Sequence, residues 1–449
     1  MKRLYDDNLY RFDTPQASYW EATAGETIIE ATPLSGKETC DVAVIGGGYT
    51  GLSSALHLAR DFDSDVRVLE AGHFGWGASG RNGGFCCMGG TGLGSTGVIK
   101  RFGAEAAKAY YRTQIDAVEL VRETVVEENI DVHMQGDGEL DTAHTRKSHE
   151  RQKIEHEALT RVLGIEAQLF GPEEFRERFY DSAEQYGGML VRPTFGLHPL
   201  RYCRGLAAAA ARHGARLHDR SEVIEWHKGD DGFHQLVTRD GILRARRVIY
   251  ATNGFISEKL RPEFSGYTMP IISAIIATRP LSGEERAAHD WHTDQPAANT
   301  RRILNYYRML PDGRFLFGGR GHGRGEPGAE RQTFDELKRM LGKIWPHWRD
   351  IEIEYKWLGL ICFTGSLRSV IGQTDDDASV FYGYGYHGNG VANATWTGKK
   401  LAEWAGSGRQ PMLPDVIQGM GKKFPVPKLR FNYLQLGIAL SGWLDKRGS

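Results

Sequence analysis

Apolar and polar positions along this chain follow two periods, and the first clear stretch is continuous rather than periodic. Residues 41–45 (DVAVI) form a short apolar run of the kind buried on both faces of a sheet. Three glycines follow, then residues 52–60, whose composition is helical, and then a second apolar run at 66–70. Strand, glycine turn, helix and strand within about 30 residues is the size and order of a βαβ unit. Helical patterning returns at 104–128, where Ile115, Val118, Val121 and Val125 share one stripe, at 142–163 and at 198–213. Strands are expected near 216–225, 234–239 and 245–252. Between 270 and 320 apolar and polar residues alternate, notably at 303–309 and 314–319 on either side of the turn Pro311-Asp312-Gly313, which predicts an antiparallel sheet. A strand at 380–383 and a helix from Val391 follow. Residues 1–38 are polar and aromatic-rich, with Tyr19 and Trp20 expected to pack back onto the body. The mildly amphipathic run 433–444 predicts a docked helix rather than a membrane-touching one.

Composition narrows the function classes. A chain of 449 residues is expected to split into two or three domains. With 56 Lys and Arg against 57 Asp and Glu, no global field favours nucleic acid or an anionic membrane. The 5 cysteines, Cys40, Cys86, Cys87, Cys203 and Cys362, have neither a disulfide-framework count nor metal-ligand spacing, so no metal is expected. No signal peptide or membrane span is apparent, and a soluble, cytoplasmic protein is the expectation.

The chemistry begins at the glycine turn. Gly46, Gly48 and Gly51 (GGGYTG) carry the GxGxxG spacing: a tight turn, a close backbone approach to a pyrophosphate, and close packing of helix on strand. The helix N-terminus, including Tyr49 and Thr50, then meets the phosphates with free amides and a favourable dipole. Glu70, followed by Ala71, closes the next strand roughly 20 residues on, where a carboxylate takes both ribose hydroxyls and repels the 2′-phosphate of NADP. Residues 75–97 (GWGASGRNGGFCCMGGTGLGSTG) are crowded with glycine directly after this unit, so backbone there approaches something closely.

The stretch 41–84 resembles the FAD-binding N-terminus of the D-amino-acid oxidase and sarcosine oxidase superfamily, and its pattern is nearest that of bacterial gamma-glutamylputrescine oxidases. The likeness continues through His198-Pro199, 251–254 (ATNG), 304–309, 317–319 (FGG), 357–359, 385–391 (GYHGNGV) and 398–404. It implies a Rossmann-like α/β FAD-binding domain, with an inserted antiparallel-sheet (α+β) substrate domain, both discontinuous in sequence. The FAD domain is then 1–95, 186–268 and 358–449, and the substrate domain 96–185 and 269–357. Along the cofactor, Gly77, Ala78, Ser79, Gly80, Arg81, Asn82, Gly83 and Gly84 would follow the pyrophosphate and flavin edge. Val223 would serve the adenine side, and Thr252 and Gly254 the next βα turn. Gly388, Asn389, Gly390 and Val391 would lie against the flavin, where a helix N-terminus can hold the negative charge of the reduced ring.

Departures from the family pattern bear on substrate. Asn389 stands where relatives carry histidine, and His387 where they carry a small residue. The stretch 85–88, near which a carboxylate-binding arginine lies in sarcosine oxidase, is apolar and thiol-bearing, leaving Arg308 or Arg320 for that role. The strand 314–319 lacks the lysine that speeds reaction with oxygen in sarcosine oxidase. Cys362 falls about three residues beyond the position used for covalent flavin in some relatives, so non-covalent FAD is expected. Tyr306, Tyr307, Trp357, Tyr384 and Tyr386 are candidates for an aromatic cage around an amine, and His198 and His322 are weaker candidates.

The implied activity is oxidation of a C–N bond in a small secondary amine or N-substituted amino compound. Hydride passes to flavin N5, the imine hydrolyses, and O2 is reduced to H2O2. His387, Asn389, Tyr306, Tyr307, Trp357 and Arg320 are the candidate active-site residues. Two alternatives stand beside it: a dehydrogenase that passes electrons to a quinone or protein acceptor, and a non-catalytic flavoprotein subunit.

Overall fold

The computed structural model describes residues 4–447. The chain builds β1 (Gly36–Ile45), α1 (Tyr49–Phe62) and β2 (Val66–Leu69). It continues through β3 (Glu139–Thr142), β4 (Gly241–Tyr250), β5 (Thr268–Pro280), β6 (Tyr306–Met309), β7 (Arg314–Arg320) and β8 (Ile353–Thr364). Two long helices follow, α2 (Gly390–Ser407) and α3 (Arg430–Arg447). Shorter elements are named by range.

The strands fall into two 8-stranded sheets and a small pair. In the first sheet β1 lies between β2 and β4 and is parallel to both, with Val42 opposite Val66 and Arg247. Val42, Ala43 and Val44 are wholly buried, which is why this run is apolar without alternation. Val380–Tyr384 extends the parallel set beyond β4, and Arg216–His218 extends it beyond β2. The helices α1 and α2 cross one another on this sheet. Ser53 Oγ donates to the Thr395 carbonyl at 2.7 Å and Ser54 Oγ to that of Gly398 at 2.9 Å. A side chain at Gly398 would overlap the Thr50 carbonyl, so glycine sets how closely the helices approach.

The second sheet runs β8, β5, β7, β6, Ala297–Asn299, β3, Gly188–Val191 and Ala167–Phe170. It is antiparallel except where Ala297–Asn299 pairs parallel with β3. One face rests on an aromatic core that includes Tyr180, Trp291, Tyr307, Phe315, Trp345 and Trp348.

Several predicted elements change at their edges. Gly188–Val191 and β8 pair into the second sheet, although 186–268 and 358–449 were expected to belong with the first. The helix expected over 142–163 starts later. Thr142 closes β3, and Thr145 caps a helix at Arg146–Glu157 through a reciprocal bond with Ser148. The four residues of β3 (ELDT) alternate in burial, but too briefly for a strand to stand out beside the charged helix that follows. Glu225–Lys228 is exposed and polar at the sheet margin except for the buried Trp226, and a single apolar residue sets no period. Tyr19 and Trp20 are buried, and the Trp20 indole donates to the Asn82 carbonyl at 2.8 Å, fastening the N-terminal segment to the glycine-rich loop. Among the described residues no helix is long and apolar enough to cross a membrane.

Candidate functional site

A cleft opens at the C-terminal ends of β1, β2 and β4, where an open parallel sheet accepts a dinucleotide. Gly46, Gly48, Tyr49, Thr50, Glu70, Ala71, Gly77, Ala78, Ser79, Asn82, Val223, Thr252, Gly388, Gly390 and Val391 line it. The chain from Ile45 to Thr50 turns sharply because Gly46 adopts φ +107, and a Cβ there would stand 2.9 Å from the Ala251 carbonyl. Gly48 caps α1 without a side-chain bond, which leaves the first amides of the helix open to an anion. Ser79 Oγ accepts one of them, from Tyr49, at 3.0 Å.

Glu70 takes one backbone amide on each carboxylate oxygen, from Gly47 at 2.6 Å and from Gly72 at 2.9 Å. Burial raises its pKa and these amides oppose the rise. The remaining lone pairs suit two hydroxyl donors. Thr252 Oγ1 and Arg81 Nη2 are buried without hydrogen-bond partners. An uncapped helix start, a doubly anchored carboxylate and the orphaned Thr252 hydroxyl around a glycine cradle together fit a bound dinucleotide.

The remaining predicted cofactor residues serve it less directly. Gly51 and Gly80 do not line the cleft. A side chain at Gly51 would overlap the Gly46 carbonyl, and one at Gly80 the Gly75 carbonyl. Gly84 is packed against the Leu197 carbonyl, and Gly254 faces Cys362. Arg81, Gly83 and Asn389 border a neighbouring cavity instead. The sequence reading did not name Gly47, Trp76, Phe255 or Leu360 as cofactor residues, although they line the cleft, and Cys362, expected off the covalent position, lines it too. Burial pushes the Cys362 thiol up to about 12, so it holds its proton.

The neighbouring cavity lies against the second sheet, lined by residues of β5, β6, β7 and β8. It shares Ala78, Asn82, Leu360, Ile361 and Gly388 with the first, so the two meet along one wall. Tyr306 lines it, its hydroxyl 3.0 Å from Ser273 Oγ, and its ring lies where side chains at Gly318 or Gly83 would otherwise sit. Arg320 also lines it, with its Nε buried and unpartnered. His387 and Asn389 border it at the start of α2. Burial lowers His387 to about 4, which makes the ring neutral at pH 7. Its Nδ1 has no partner, and its backbone holds φ 53 with the N–H on the Cys362 carbonyl at 3.1 Å. Asn389 turns away from its own helix: Nδ2 donates to the Met88 carbonyl at 3.3 Å and Oδ1 accepts from Cys87 Sγ at 3.5 Å. The first amides of α2 therefore lack a side-chain cap. Arg81 is 8% exposed, stacks 4.0 Å from the Trp76 ring, and is lowered by burial to about 9.

Several predicted site residues lie elsewhere. Tyr307 follows Tyr306 on a strand and so faces the opposite way. It sits in the aromatic core with its hydroxyl 2.7 Å from Thr142 Oγ1 and 2.9 Å from that of Tyr180. Trp357 packs with Trp20, Leu200 and Ile275, and its indole supports the glycine-rich loop from behind through the Arg81 carbonyl at 2.8 Å. Arg308 is wholly buried and braces the Leu197 carbonyl at 2.6 Å, away from both cavities. Tyr384 binds the Met420 carbonyl in the core under the first sheet, and Tyr386 lines the cofactor cleft with its hydroxyl on Thr50. His198 caps the helix Pro199–Arg212, and His322 is paired with Glu336. The second cavity also contains Phe85 and Cys87, from the stretch 85–88 weighed for the substrate side, and residues that sequence reasoning did not name: Glu139, Ser273, Arg302, Phe363, Leu434 and Ile438. Leu434 and Ile438 lie on α3, the run expected to dock, whose mild amphipathicity gave no sign of what it docks against.

The profile of the DAO family, FAD dependent oxidoreductase, matches residues 41–404. The chain belongs to this family. It is 31% identical over 393 residues to gamma-glutamylputrescine oxidoreductase of Escherichia coli (strain K12), covering 86% of this chain and 88% of that relative. It is 32% identical over 432 residues to the probable oxidoreductase OrdL of Rhizobium meliloti (strain 1021), covering 95% and 96%. The crystal structure of glycine oxidase from Geobacillus kaustophilus superposes with a TM-score of 0.68 at 21% identity, over 84% of this chain and 97% of that one. The DAO-family protein is thus an FAD-dependent oxidoreductase, and its Rossmann-like cofactor fold is shared with these flavoenzymes. The glycine cradle, Glu70 and the start of α2, which the sequence offers as cofactor residues, line one cleft.

Proposed function

We propose that this DAO-family chain oxidises the C–N bond of a small secondary amine or N-substituted amino compound bound in the second cavity. The observation that carries the reading is the shared wall of the two cavities, which would present the flavin end of a dinucleotide to a ligand beside Tyr306. FAD, when bound, supplies the acceptor for a hydride from the carbon next to nitrogen.

The chain's own residues bind, orient and exclude water. Gly388 and Gly390 allow a flat ring to lie against backbone, and the uncapped amides of α2 hold negative charge that develops there. Phe85, Ile271, Leu360, Phe363 and Tyr306 keep the reacting bond out of water. Neutral His387 and Asn389 border the same corner. Hydride leaves the neutral amine, so an ammonium ligand first gives up one proton to water or to a carboxylate in the cavity, after which positioning and desolvation are the main demands on the protein. The wall contributed by Phe85 and Cys87 carries no cation, so an α-carboxylate lodged there would cost several kcal/mol. A carboxylate carried further along the ligand reaches Arg320 instead. These residues favour an enzyme over a non-catalytic flavoprotein subunit.

A panel of secondary amines, polyamines and amino acids mixed anaerobically with the holoenzyme tests the reading through loss of the flavin absorbance. Secondary and N-substituted amines should bleach it fastest. Oxidation of glycine or D-alanine with kcat/KM above every such amine would overturn the substrate class. The acceptor we assign is O2, reduced to H2O2. Among the described residues lining the second cavity there is no lysine, and this favours the second reading, a dehydrogenase serving a quinone or protein. Rapid mixing of substrate-reduced enzyme with O2 decides between them, since slow reoxidation would exclude the oxidase.

A further inference from the structure

We propose that Glu139 is the receptor for the substrate's ammonium group, so that the ligand is an amine held at two poles, its cation at Glu139 and a remote anion at Arg320. This rests on the reading that the second cavity takes an amine.

Glu139 opens β3, and the next residue, Leu140, packs into the aromatic core on the other face. Alternation along the strand therefore directs Glu139 toward the cavity that it lines. The lining of that cavity is largely aliphatic and aromatic, with Phe85, Ile271, Ile275 and Leu304 among it, and Arg81, Arg302 and Arg320 are its cations. A carboxylate on such a wall needs a cation, yet among the described residues no ion pair reaches Glu139. Its one charged neighbour of consequence, Asp141 two residues along the strand, has the same sign, and its polar contact is the Cys87 thiol. Burial pushes the Glu139 carboxyl up to about 7, with Asp141 adding to the rise. An acid this poorly compensated in a cavity wall is expected where a ligand brings the missing charge.

Position supports the assignment. Cys87, which contacts Glu139, also donates to Asn389, the residue that immediately precedes α2 beside the shared wall of the two cavities. Glu139 is thus one side chain away from the end of the cavity nearest the cofactor cleft. Arg320 and Arg81 line the same cavity, each with a guanidinium nitrogen that is buried and unpartnered, and Arg81 is nine-tenths buried. Donors for an anion and an acceptor for a cation therefore share one apolar cavity. That is the complement of a ligand with separated charges.

The test compares 4-aminobutyrate, 5-aminopentanoate and 6-aminohexanoate with the carboxylates in which a methyl group replaces the ammonium. Binding to the holoenzyme is read anaerobically from the perturbed flavin spectrum. At the best-fitting length the wild type should prefer the amino ligand by about 10-fold or more, as for a charge-assisted bond. Glu139→Gln should abolish the preference while leaving the methyl ligand's affinity within about twofold, and Glu139→Asp should retain part of it. Equal responses to both ligands in the wild type, no response to either included, or a preference that survives Glu139→Gln, would overturn the proposal. The titration does not depend on turnover. If the ammonium preference holds but no amine bleaches the flavin, the proposed function fails and the role of Glu139 stands. The reverse pattern has the reverse meaning.

Discussion

Among the described residues the Glu70 carboxylate accepts hydrogen bonds from backbone amides, those of Gly47 and Gly72, so its contribution should appear in cofactor affinity. Glu70→Ala is expected to weaken FAD binding by about 1–3 kcal/mol, the loss of charged hydrogen bonds to hydroxyls, with turnover retained at saturating FAD. Titration of the apoprotein measures this, and unchanged affinity would remove Glu70 from the ribose. Arg320→Ala should raise KM more than it lowers kcat, because it removes binding remote from the reacting bond. An equal fall in kcat with KM unchanged would place Arg320 at the transition state instead. The fingerprint residues were legible because their meaning lies in local spacing. Tyr306 and Tyr307 were not separable, since alternation says that they face opposite ways without saying which faces the ligand. Trp357 and Arg308 were misplaced for a related reason: a large side chain on a strand reads the same in a core as in a cavity. Glu139 gave no signal, because a single acid in a four-residue strand looks like an edge residue.

At the scale of elements, the approach of α1 to β1 depends on Gly51. Gly51→Ala would press a methyl group into the Gly46 carbonyl and should lower the Tm by several degrees and release FAD, read by thermal melting and by flavin retained on gel filtration. Gly437→Ala, on the exposed face of α3 with open space around it, is the control and should stabilise by about 0.5–1 kcal/mol. The strand β3 predicts a pH response. Burial raises Glu139 to about 7 and Asp141 to about 6, so both bind protons more tightly folded than unfolded. Their contribution is present below the unfolded carboxylate range, near pH 4, and is lost as pH rises through 6 and 7. Unfolding midpoints of the apoprotein should therefore fall between pH 5 and pH 8, and Glu139→Gln should remove up to about 3 kcal/mol of that fall. Parallel slopes for the two proteins would mean that Glu139 is solvated. The long helices and apolar strands were readable from periodicity, whereas short strands such as Glu225–Lys228 owe their form to a neighbour's open edge rather than to their own residues.

The whole molecule places its cofactor cleft beside the first sheet and its second cavity against the second, and the identity of the cofactor can be checked on the intact protein. Acid precipitation should leave colourless protein and release FAD, because the Cys362 thiol, although it lines the cleft, is held protonated by burial. Colour in the pellet would mean a covalent link, and FMN in the supernatant would contradict the dinucleotide cleft. The alternation of sheet and helix along the chain was readable at this scale, but the crossing points were not. A strand such as Gly188–Val191 joins whichever sheet offers a partner, and the sequence does not reveal that partner.

The position of β1 between β2 and β4 also has a consequence for biosynthesis. The glycine cradle leaves the ribosome early, whereas β4, which closes its other side, emerges only after residue 241, and α2, which supplies the far wall, only after residue 390. A nascent chain thus carries a complete nucleotide fingerprint without the surfaces needed to grip a nucleotide. During most of translation the buried face of α1 and the bare side of β1 are uncovered apolar surface, a natural target for a chaperone. Pairings this distant in sequence close slowly, so the cleft is complete only once α2 has packed on the sheet, and added flavin should stabilise the chain only from that point.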